Sequence, residues 1–81
     1  MTLPLFTRVA LRADLPEEGL RRGDLATIVE HLPGKDGEDG YALEVFNAVG
    51  DSIAVVMVPQ SGVELLSADQ ILSARPLART V

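Results

Sequence analysis

The chain of 81 residues has no cysteine and no tryptophan, a single histidine (His31), and only Phe6, Tyr41 and Phe46 as further aromatics. Without cysteine there is no disulfide or thiolate–metal cluster to staple a short chain. Stability then has to come from a hydrophobic core, from closing a sheet, or from association. Cations are also scarce: seven Lys and Arg stand against twelve Asp and Glu, a formal charge of −5 at pH 7. An acidic surface repels a phosphate backbone unless its cations cluster. Here Arg21 and Arg22 are flanked by Glu17, Glu18 and Asp24, while Arg75 and Arg79 are dispersed near the C-terminus. Nucleic acid is therefore not an expected partner; a protein with a basic surface fits the charge better. No apolar run approaches the roughly 18 residues of a membrane span. The opening MTLPLF lacks a basic leader before an apolar stretch, so neither membrane nor signal peptide is expected. With no cysteine the compartment has no direct marker, and the cytoplasm is the default expectation.

What the chain does have is apolar content, 47% of residues, which is too much for a disordered segment. Its length suits one domain, residues 1–81, near the lower limit for folding on a core alone. Breaker residues divide it into short segments, as in small all-β barrels. A first strand is expected around residues 6–11. A loop follows over residues 14–24, punctuated by Pro16, Gly19 and Gly23, with Leu15 and Leu20 tucked inward. Strand two is residues 25–31 (LATIVEH), and residues 33–40 (PGKDGEDG) form an exposed turn. Strands three and four are residues 41–47 (YALEVFN) and 52–58 (SIAVVMV), joined by a hairpin with Gly50 in its left-handed position. Residues 63–66 suit a fifth strand. Residues 67–70 read as one helical turn and 71–75 as a last strand, with a two-turn helix over 67–74 as the competing reading.

Alternation assigns faces. In strand three Tyr41, Leu43 and Val45 point one way, and Ala42, Glu44 and Phe46 the other, with Glu44 marking the wetter side. In strand four Ile53, Val55 and Met57 oppose Ala54, Val56 and Val58, and both sets are apolar. A half-exposed antiparallel strand has one apolar face. Strand four is therefore either covered on both sides or part of a sticky surface.

Residues 20–29 (LRRGDLATIV), followed by 40–59 (GYALEVFNAVGDSIAVVMVP), resemble the small bacterial proteins grouped as domain-of-unknown-function family 4926, over residues 5 to 77. The GDLATIV element is also similar to strand two of KOW and nitrile hydratase β-subunit-like barrels, where Ala26 is often glycine, so that a tight turn here must tolerate a Cβ. The resemblance implies an SH3-like barrel of about five antiparallel strands with one short helical turn and no established catalytic residues. Such families include proteins paired with toxin-like neighbours, which implies an antitoxin or immunity role. No functional residue set transfers.

The residues offer little chemistry of their own. His31 with Asp36, Glu38 and Asp39 has carboxylate ligands for a divalent cation, but lacks the alternate-position spacing of a calcium loop. A flexible, solvated acidic turn is the expected reading, with no metal. A nucleophile needs a base that is itself oriented, and nothing places His31 beside Ser52, Ser61, Ser67 or Ser73. Gly34, Gly37 and Gly40 are bracketed by acids that would repel a phosphate. No enzyme activity and no cofactor are expected.

The remaining signal is apolar surface. Glu17, Glu18, Asp24, Glu44, Phe46, Val56 and Val58 are the expected protein-binding residues: an acid-rimmed sheet face with the neighbouring loop. Coverage of that face by an N- or C-terminal segment of the same chain is the competing reading. The expected function is a non-catalytic module binding another protein, with toxin neutralisation its specific form and a homo-oligomer also open. An accessory subunit of the nitrile hydratase β type is the alternative; RNA binding in the KOW manner is the weaker one.

Overall fold

Runs of β-branched residues between glycine and proline breaks become strands wherever one side of the run can be buried. The computed structural model describes residues 2–77; Arg79 lies outside them. Five strands form: β1 (Arg8–Leu11), β2 (Leu25–Leu32), β3 (Gly40–Phe46), β4 (Ser52–Pro59) and β5 (Val63–Leu65). All pairings are antiparallel, in the order β4-β3-β2-β1-β5. The all-β class with five antiparallel strands is thus as the sequence implies. The helical content is two 3-10 turns, η1 (Pro16–Glu18) and η2 (Gln60–Gly62). The three residues of η2 link the two edge strands directly, so the sheet curls until both edges share one core.

That core lies on one face of the sheet. Val9 and Leu11 of β1, Ile28 of β2, Tyr41, Leu43 and Val45 of β3, and Val63 of β5 are buried. Leu20 from the first loop joins them and Leu15 packs alongside, the two leucines bridging each other's backbones as the loop turns. Both were expected inward. β2 carries a bulge between Ile28 and Glu30, which resets its register against β3 and lets the sheet bend. At the next turn Gly50 holds φ +90°, the left-handed position expected of it, and the Asn47 side chain accepts the Val49 and Asp51 N–H groups.

Three expectations are corrected here. Val56 and Val58 stand opposite Leu43 and Tyr41 and are core residues, each 7% exposed, so neither belongs to an exposed face. The face of β4 that reaches solvent carries Val55 and Met57, 58% and 75% exposed. Ala26 lies within β2, buried opposite Val9, and not in a tight turn. Finally, residues 67–70 make one hydrogen-bonded turn, but residues 71–77 join no sheet and form no helix.

Those last residues are laid back over the domain by an ion pair. The Arg75 guanidinium donates to both Asp24 carboxylate oxygens, through Nε at 3.1 Å and through Nη2, and also to the Gly19 carbonyl at 3.3 Å. A concavity of about 910 Å³ lies between this tail and the sheet, with Ala10, Leu25, Phe46 and Ile53 in its lining.

Candidate functional site

The 3-10 turn η1 exists because Pro16 presets the first residue, and Gly19 closes the turn in the left-handed conformation with its N–H on the Pro16 carbonyl. Leu15 and Leu20 anchor the loop from below, so Glu17 and Glu18 are held exposed on its outside. Across from them runs β4. A concavity of about 410 Å³ separates the two, bounded by residues 15–18 and 55–57. The outer sheet face continues from it: Val55 stands opposite Glu44, which stands opposite Thr27, and Met57 stands opposite Ala42, which stands opposite Glu30. Exposed apolar groups are thereby flanked by carboxylates on both sides, Glu17 and Glu18 on one and Glu44 on the other.

The expected site residues therefore divide. Glu17, Glu18 and Glu44 surround the β4 patch. Phe46, 44% exposed, lies at the far end of the sheet and lines the hollow under the tail. Asp24 is not a free surface acid but the anchor of Arg75. Partial burial pushes its carboxyl pKa up, but hydrogen bonds from Arg75 and the Arg21 N–H, with the charges of both arginines, outweigh this and hold it below the ordinary value of 3.8. The same contact raises the Arg75 pKa. Among the described residues the C-terminal segment thus faces the Phe46 end across the hollow, while Val55 and Met57 are exposed. Val55 and Met57 are the residues the sequence reading missed. An apolar set on each side of β4 gave no sign of which one faces water.

The acidic turn is exposed and hydrogen-bonded to its neighbours. The Asp39 carboxylate accepts the Gly34 N–H at 2.8 Å and pairs with His31 Nε2 at 2.9 Å; the Gly34 bond, opposed by desolvation and helped by His31, lowers its pKa. Glu38 accepts the N–H and hydroxyl of Ser61 at 2.9 and 2.7 Å, fastening the turn to η2. These bonds tie the exposed turn to β2 through His31 and to η2 through Ser61. Among the described residues no three of His, Asp and Glu converge as a metal site would require, and no serine bonds to His31. No described helix is long and apolar enough to cross a membrane.

Fold and site together define a small all-β domain with an acid-rimmed apolar edge. The chain belongs to the family described as a domain of unknown function (DUF4926), whose sequence profile matches residues 5–65. The match ends at the last residue of β5, so the tail over the Phe46 hollow lies beyond it. No curated protein and no solved structure matches the chain.

Proposed function

We propose that this chain is a non-catalytic protein-binding module on an SH3-like barrel, acting in the cytoplasm on a partner with a basic surface. Neutralising a toxin-like protein, as an antitoxin or immunity protein does, is the specific form proposed. One observation carries the reading: Val55 and Met57 lie exposed on an edge strand beside the carboxylates of Glu17, Glu18 and Glu44. Exposed apolar groups rimmed by charge are a usual composition for an interaction surface. The −5 charge supports a cationic partner by steering encounter.

Co-purification from the native host tests the proposal. The expected result is one stoichiometric partner, whose affinity falls about tenfold or more with Met57→Glu. Val49→Glu, on the exposed hairpin tip, should leave it unchanged. Recovery of a bare monomer, or a partner indifferent to Met57→Glu, contradicts the proposal.

A further inference from the structure

The two edges of the sheet are built differently. β5 has three residues, while β4 has eight and pairs only with β3. Its outer row of N–H and C=O groups meets no backbone partner among the described residues. Soluble proteins commonly blunt such an edge with lysine, proline, a bulge or brevity. β4 has no lysine, its only proline is its last residue, and its register irregularity is confined to the hairpin end opposite Val45 and Phe46. Neighbouring side chains of a strand point to opposite faces. A hollow bordered by Val55, Val56 and Met57 in succession therefore runs along the strand's edge, not over one face.

Resting on the protein-binding reading above, we propose that this hollow takes an extended segment of the partner as a sixth strand paired to β4. Main-chain hydrogen bonds supply affinity in such strand addition, and alternate side chains supply selection. One set of side chains in the added strand lies beside Val55 and Met57 and is apolar. The other set turns toward η1, where Glu17 and Glu18 select Lys or Arg. The hollow's lining holds no cation among the described residues, so the segment's positive charge meets no opposing one. A second copy of this chain is the poorer occupant. Antiparallel pairing of two β4 edges gathers both pairs of Glu17 and Glu18 at one interface, and like charges there are repulsive.

A displayed library of random eight-residue peptides, panned against the whole chain at low ionic strength, tests this. The expected winners alternate Lys or Arg with apolar residues. Hydrogen exchange with such a peptide bound should be slowed at least tenfold at β4 amides. Glu17→Lys together with Glu18→Lys, both on exposed positions, should weaken binding at least tenfold. Winners with helical spacing or no basic alternation overturn the proposal. So does slowing confined to the tail or to β5, a result that leaves protein binding standing while removing strand addition. Dimerisation of the peptide-free chain with protected β4 amides also overturns it, by making the second copy the occupant. Failure of the reading itself has a different signature, the bare monomer in the host co-purification.

Discussion

Tyr41 fills the core with its ring, 1% exposed, and ties the chain together with its hydroxyl, which accepts the Leu3 N–H at 2.9 Å and the Gln60 side-chain amide at 3.2 Å. Tyr41→Phe keeps the ring and loses both bonds. In urea unfolding it should cost about 1 kcal/mol, because both donors lie near enough to the surface to find water. Leu43→Ala, at a site with no exposure, should cost about 2–5 kcal/mol in the same measurement. Gly50 and the inward leucines of the first loop were readable from residue type alone, since a hairpin needs a left-handed residue and an apolar side chain in a polar loop needs cover. Phe6 was not. It holds φ +67°, unusual for a bulky residue, and its N–H bonds the Ile28 carbonyl at 2.6 Å beside the β2 bulge. No residue type advertises a left-handed position whose N–H is bonded to another strand.

Strands and turns were legible as elements, because breakers delimit them; the orientation of β4 was not. Two apolar faces are equivalent in a sequence, and only pairing with β3 shows that Val56 and Val58 meet Leu43 and Tyr41. A pair of substitutions separates the faces. Val56→Asp places an unpaired charge in the core and should abolish cooperative unfolding, whereas Val55→Asp should shift the midpoint little, both read by circular dichroism. The tail was illegible for another reason. Its fixing contact, Arg75 to Asp24, spans 51 residues and follows no local periodicity. Arg75→Ala should detach residues 66–77, whose backbone NMR resonances narrow to those of a mobile segment while the β1–β5 amides stay protected. Because the Asp24 pKa is depressed on folding, its contribution is complete above its ordinary value of 3.8 and is lost as pH falls below that value through the folded one. Acid should therefore release the tail with a midpoint below pH 3.8, and the Arg75→Ala chain should lack that step.

At the scale of the whole molecule, composition excluded more than it identified. Absent cysteine, few cations and no long apolar run set aside staples, phosphate and membrane as expectations. The acid balance pointed to a basic protein surface, but only folding could bring Glu17 and Glu18 of the first loop beside a strand nearly forty residues later. Interfaces governed by such charge respond to ionic strength. Partner association should slow as salt is raised from about 0.05 to 0.5 M, with dissociation changed far less, as read by surface plasmon resonance. The claim on which the proposed function turns is that a partner touches the β4 edge. A photo-crosslinking residue placed at Met57 in the native host tests it most directly. One discrete adduct from Met57, with none from the same group at Val49 or Ile71, is the predicted result. Adducts from Ile71 and none from Met57 would contradict the account, because they would put the partner on the tail and leave the open strand without a role.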